Sequence, residues 1–241
     1  MKAMILAAGR GERMRPLTDT CPKPLLKVRG RPLIVWHILN LVRAGITEIV
    51  INHAHLGHMI EEALGDGSQF GATIVYSREE KALETAGGIA KALHLLGDEP
   101  FLVLSGDIYC PYFDFSQVTD VLPDKDAIGI PLPPDKRDAC WLYLTPNPFH
   151  NLKGDFALNL FAVSNTGTPL WNFSNIGVYR PEMFKAITPG DSAKLGLLLR
   201  EYADLGRVGG ELYEGPWVNV GTVQQLDELN APLAGKAKSA S

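Results

Sequence analysis

Between residues 2 and 107 short apolar runs alternate with segments of helical period, and this alternation constrains the fold more than any other feature of the chain. Lys2–Ala8 is apolar and stops at glycine, as a buried strand entering a turn does. Pro32–Ala44 sets Leu33, Ile34, Trp36, Ile38, Leu41 and Val42 at helical spacing, with Pro32 suited to a first turn and Gly45 to a carboxyl cap. Glu48–Asn52, Ala72–Tyr76 and Phe101–Leu104 read as further strands, and His55–Leu64 and Ala86–Leu96 as the helices between them. The pattern predicts an α/β, Rossmann-like, mostly parallel sheet with helices on both faces.

The second half is less regular. Trp141–Leu144, Phe156–Val163, Phe173–Tyr179 and Val208–Tyr213 read as strands and Ala193–Leu205 as a helix, after a stretch dense in proline and polar residues from Pro123 to Pro148. With no repeat and no linker, one domain is expected over 1–230. Its first part, to about residue 110, and its second, about 111–230, form the two sides of a shared cleft, and 231–241 is expected to be a mobile tail. With 23 Lys and Arg against 27 Asp and Glu, the net charge of −4 gives no reason to expect nucleic acid or an anionic membrane as partner. No apolar run reaches the length of a membrane span and the leading one stops at Gly9, so a cytoplasmic protein is expected. Cys21, Cys110 and Cys140 are odd in number and widely spaced, which suits free thiols.

Chemistry concentrates in Leu6–Thr18. A buried strand runs into a loop holding Gly9, Gly11, Arg10, Arg13 and Arg15, where backbone N–H groups and guanidinium forks can meet phosphate oxygens. Met14 stands where a dinucleotide fingerprint needs its third glycine, and no Gly-Lys-Ser/Thr follows, so two better-known phosphate loops are excluded. The glycine pair alone suits an ordinary exposed turn at least as well. Pro22-Lys23-Pro24 stiffens the backbone on both sides of a lysine. Asp107 ends a strand, where a phosphate-bound metal needs an oxygen ligand and where aspartate also caps turns.

Taken together, Leu6-Ala7-Ala8-Gly9-x-Gly11-x-Arg13-Met14-x-Pro16-Leu17-Thr18, Pro22-Lys23-Pro24-Leu25-Leu26 and Gly30-Arg31-Pro32 resemble the signature of the sugar-1-phosphate nucleotidyltransferases. Later landmarks extend the resemblance over essentially the whole chain. The resemblance implies an Mg²⁺-dependent enzyme in which Arg13, Lys23 and Asp107 are catalytic. Nucleotide binding would fall to Ala8, Gly9, Gly11, Glu12, Arg13, Lys23, Glu84, Thr85 and Ala86, sugar binding to Gly154 and Asn175, and metal binding to Asp107 and Asn219. Two departures stand out. Asn219 replaces the aspartate common in Trp-x-Asp-(Val/Ile)-Gly-Thr, so the metal site loses a charge, and Glu84 replaces a glycine. The segments 173–181 and 210–213, with Asn219, resemble the uridylyltransferases that serve peptidoglycan recycling. They imply UTP and a sugar 1-phosphate as substrates, N-acetylmuramic acid 1-phosphate foremost. Guanylyl transfer to mannose 1-phosphate, thymidylyl transfer to glucose 1-phosphate and a non-catalytic nucleotide-sugar sensor are the alternatives. The six histidines fit no ligand spacing and are expected to be structural or superficial.

Overall fold

A computed structural model describes residues 1–126 and 128–232. The expected tail at 231–241 therefore lies almost wholly outside the described residues. In chain order the elements are β1 (Ala3–Ala7), α1 (Leu17–Thr20), a hairpin of β2 (Lys27–Val28) and β3 (Arg31–Pro32), α2 (Leu33–Arg43), β4 (Glu48–His53), α3 (Gly57–Leu64), β5 (Thr73–Arg78), α4 (Glu84–Leu96) and β6 (Phe101–Ser105). There follow β7 (Ile108–Tyr109), β8 (Cys140–Thr145), β9 (Phe156–Asn159), β10 (Ala162–Ser164), β11 (Leu170–Tyr179), α5 (Leu195–Asp204), β12 (Val208–Leu212), β13 (Val218–Asn219) and α6 (Val223–Asn230).

Nine strands form one sheet in the order β5-β4-β1-β6-β11-β8-β12-β10-β9. The first four are parallel, with β1 between β4 and β6 in the registers Ala3↔Ile49 and Ala3↔Leu102. Alternate residues serve opposite faces. Ile5, Ile51 and Leu104 pack with Ile34, Ile38 and Leu41 of α2 and Ile60 of α3. Met4, Val50 and Val103 pack with Ala86, Ile89 and Ala90 of α4 and Leu195 and Leu199 of α5. Burial on both faces is why these strands read as unbroken apolar runs.

The carboxyl half departs from this regime. β11 runs antiparallel to β6 and β8, and β9 pairs both with β10 and with the start of β11, so the last five strands of the order close on themselves. The strand expected over Phe156–Val163 is a hairpin, β9 and β10, turning at Leu160, whose φ of 54° ends the extended run. A small third core of Met14, Val28, Leu33, Val220 and Leu226 fastens the glycine-rich loop, the β2–β3 hairpin and α6 to one another.

Candidate active site

The parallel strands β1, β4 and β6 end on one edge, and beyond it lies one cleft of three adjoining cavities of about 410, 320 and 660 Å³. The first is lined by the loop from Gly9 to Arg13 with Lys23, Asp107 and Gly221. The second shares Gly9, Lys23 and Asp107 with it and adds Ala8, Glu84 and Thr85. The third shares Glu84, Thr85 and Ser105 with the second and runs on to Asn175, Asp155, Lys194 and Arg200. One end is thus cationic and the far end is polar with mixed charge.

The loop's shape follows from its sequence. Gly11 has φ 65°, a Cβ there would lie 2.8 Å from Thr18 Cγ2, and its carbonyl accepts a hydrogen bond from Thr18 Oγ1 at 2.9 Å. This turn hands the chain to Glu12–Met14, whose methionine is fully buried. Gly9, by contrast, has open space over its Cα. Arg15 is drawn away to Asp19 at 3.1 Å. Arg13 stays on the cleft and its guanidinium lies against Gly221, where a Cβ would sit 3.1 Å from Nη2. A side chain at 221 would crowd it.

Lys23 is buried between its prolines and its Nζ lies 2.6 Å from Asp107 Oδ2. The residue before Asp107 must be glycine, since a Cβ at Gly106 would meet Leu6 O at 2.8 Å. A two-residue ribbon then brings Asn219 alongside: β13 pairs with β7 in the register Asn219↔Ile108, and Val220 N donates to Asp107 O at 2.9 Å. Asn219 Oδ1 is buried and accepts no hydrogen bond. A buried oxygen without a partner costs about 1–3 kcal/mol, and a cation is one partner that would satisfy it. The Asp107 carboxylate, already paired with an ammonium, and this unpartnered amide oxygen, carried by a backbone hydrogen-bonded to that of Asp107, are hard oxygen donors of the kind that suit Mg²⁺ completed by phosphate and water. Among the described residues no cluster of three or more His, Cys, Asp or Glu offers a competing metal site. The rest of the landmark also has work: Trp217 Nε1 donates to Ser174 O at 2.9 Å, and Thr222 caps α6 by accepting from Gln225 N.

On the far wall β11 bulges between Phe173 and Ile176, and Asn175 takes φ 61° as it lines the cavity. Glu84 takes φ 59° at the start of α4, so the backbone still has the form a glycine would favour. Three expected contacts are not on the cleft wall: Asn219, whose Oδ1 is buried, Ala86 and Gly154. Ala86 is fully buried and spends its N–H on Ala193 O at 2.9 Å, which ties α4 to the segment before α5. Gly154 serves a turn: its φ is 72° and a Cβ would lie 2.5 Å from Leu170 O, while the next residue, Asp155, lines the cavity.

Sequence reasoning missed Asn52 and Glu79, which line the middle cavity. Asn52 Oδ1 accepts from Ala7 N at 3.0 Å, Asn52 Nδ2 donates to Glu79 Oε1 at 2.7 Å, and Glu79 Oε2 accepts from Leu83 N at 3.0 Å. Gly88 leaves them room, since a Cβ there would be 2.8 Å from both side chains. A polar residue near the end of an apolar strand, as Asn52 stands one residue before the end of β4, was the available signal. No histidine lines the cleft. His37 is buried and shares a hydrogen bond with Ile108 O at 2.9 Å; burial pushes its pKa down to about 4. His53 bonds Glu61, whose carboxyl is held at about 2, chiefly by hydrogen bonds from Arg78.

Residues 2–138 match the profile of the nucleotidyl transferase family. The chain is 52% identical to the N-acetylmuramate alpha-1-phosphate uridylyltransferase of Neisseria meningitidis serogroup B over 99% of this chain and 100% of that protein. It is 33% identical to the protein of the same name from Caulobacter vibrioides over 96% of each. Its fold is shared with HddC from Yersinia pseudotuberculosis, at a TM-score of 0.73 and 17% identity over 95% of this chain and 97% of that one. The chain therefore belongs to the nucleotidyl transferase family.

Proposed function

We propose that the protein transfers the uridylyl group of UTP to the phosphate of N-acetylmuramate 1-phosphate, releasing pyrophosphate, with Mg²⁺ as cofactor. The end-to-end identity to relatives of that activity carries the choice of substrates. The cleft supports the reaction class. A phosphate oxygen of the sugar attacks the α-phosphorus of UTP in line as the α–β P–O bond breaks. That oxygen is already anionic, so no general base and no side-chain nucleophile is required. The protein's task is to bring two polyanions together and neutralise them. Arg13, resting on Gly221, faces the end of the cleft suited to the departing pyrophosphate, and Lys23 exchanges Asp107 for a phosphate oxygen. Asp107 and Asn219 would hold Mg²⁺, which when bound supplies electrostatic stabilisation of phosphate charge. Asn175 and Thr85 line the part of the cleft left for sugar and nucleoside.

A pyrophosphate-release assay tests the reaction. Release should require both UTP and the sugar phosphate, and Asp107→Ala should lower it by ~100-fold or more with circular dichroism unchanged. Release from UTP alone at the same rate would mark a hydrolase, and a folded Asp107→Ala protein with near-normal turnover would remove Asp107 from the site.

A further inference from the structure

We infer that Lys194 is the residue that selects the acceptor, its ammonium receiving the carboxylate of the lactyl ether. The inference rests on the acceptor proposed above. N-acetylmuramate 1-phosphate differs from N-acetylglucosamine 1-phosphate by that ether on O3, and so by one further negative charge. A cleft that prefers the lactylated sugar needs a cation where O3 lies. The C1 phosphate must reach the Lys23 and Asp107 end, which leaves the ring and its O3 substituent to the 660 Å³ cavity.

Two cations line that cavity, Lys194 and Arg200. Arg200 is committed. Its Nη1 donates to Asp155 O at 3.3 Å and Asn165 Oδ1 at 3.2 Å, and its guanidinium lies 5.0 Å from the centroid of the Phe156 ring. Lys194 makes no ion pair or side-chain hydrogen bond among the described residues. The carboxylates of the same cavity do not neutralise it either: Asp155 Oδ2 accepts from Phe173 N at 2.8 Å and Asn151 Nδ2 at 3.1 Å, and Glu84 stands on the nucleotide side, where the cavities join.

The backbone that carries Lys194 is fixed although its side chain is exposed. The neighbouring Ala193 donates its N–H to Leu83 O at 3.0 Å, and its carbonyl accepts from Ala86 N at 2.9 Å and Gly87 N at 3.1 Å. Gly87 lets this contact form, because a Cβ there would meet Asp191 O at 2.3 Å. The start of α4, which faces the nucleotide, is therefore laced to the residue beside Lys194. A lysine on so fixed a backbone can meet a carboxylate with less loss of backbone freedom than one on a free loop.

The test compares kcat/KM for the lactylated acceptor, its neutral lactyl amide and N-acetylglucosamine 1-phosphate in wild type, Lys194→Met, Lys194→Arg and Arg200→Met. Wild type should prefer the lactyl carboxylate over both neutral acceptors, and added salt should erode that preference. Lys194→Met should lower the preference by about ten-fold or more, through KM, as loss of a charged hydrogen bond does, and Lys194→Arg should retain most of it. Preference surviving in Lys194→Met, or vanishing in Arg200→Met instead, would overturn the assignment of Lys194 while leaving the substrates standing. A wild type that does not favour the lactylated acceptor at all would overturn the substrate reading and the role of Lys194 with it.

Discussion

At the scale of single residues the site is built from departures and juxtapositions. Lys23 and Asp107 were each legible as motif positions, but their 2.6 Å contact was not, because 84 residues separate them and only the sheet brings them together. The contact has a consequence. Metal entering without nucleotide must compete with the lysine for Asp107, so Lys23→Ala should tighten Mn²⁺ binding to the nucleotide-free protein several-fold while cutting kcat/KM by ~100-fold. Electron paramagnetic resonance of free Mn²⁺ reads the first effect, and an unchanged or weaker Mn²⁺ affinity would mean that Lys23 does not compete at that position. Glu84 could be seen from sequence to replace a glycine, yet not that the left-handed backbone stays behind at φ 59°. A side chain in that region costs about 1 kcal/mol or more. Glu84→Gly should therefore leave stability equal or raise it by up to about 1 kcal/mol in urea titrations, after the entropic cost of glycine. It should also raise KM for a substrate, since Glu84 lines both the middle cavity and the 660 Å³ cavity. A clear loss of stability in Glu84→Gly would show that the glutamate is needed for folding.

At the scale of elements, the first half of the fold was legible and the second only in part. Parallel strands buried on both faces announce themselves as apolar runs, and α2 and β4 lie within a residue or two of where the periodicity puts them. In the second half three things defeat periodicity. Phe156–Val163 is apolar enough for one strand but folds back at Leu160; β11 carries a bulge that resets its register at Ser174 and Asn175; and β7 and β13 are too short to leave a pattern. Closure of β9 onto β11 depends on Gly154, which has no room for a methyl group beside Leu170 O. Gly154→Ala should cost about 2 kcal/mol or more, combining overpacking with a strained φ. It should also raise the acceptor KM, because Asp155 and Phe156 follow directly in the cavity wall. Calorimetric melting together with acceptor kinetics checks both, and an unshifted melting temperature would place the closure elsewhere.

At the scale of the whole molecule, stability and specificity both follow from what is buried. His37 lies in the core with its pKa lowered from 6.5 to about 4 by loss of solvent. Between those values the unfolded chain binds a proton that the folded chain refuses. Stability is therefore full above about pH 6.5 and falls as pH drops towards 4, by about 3 kcal/mol. His37→Gln, which keeps a donor for Ile108 O, should flatten urea-derived stability across that window; an unaltered slope would assign the acid sensitivity to other groups. The cleft itself runs unbroken from Arg13 to Lys194 along one edge of one sheet, so nucleotide and acceptor are read in a single shared space. The most direct test of that account is a competition in which UTP, dTTP and GTP at equal concentration meet N-acetylmuramate 1-phosphate, N-acetylglucosamine 1-phosphate and mannose 1-phosphate, with products identified by mass. UDP-N-acetylmuramate should dominate, with thymidylyl transfer reduced because dTTP adds a C5 methyl, worth about 1–3 kcal/mol in a fitted pocket, and lacks the 2′-hydroxyl, and guanylyl transfer reduced further. GDP-mannose as the main product would contradict the proposed substrates.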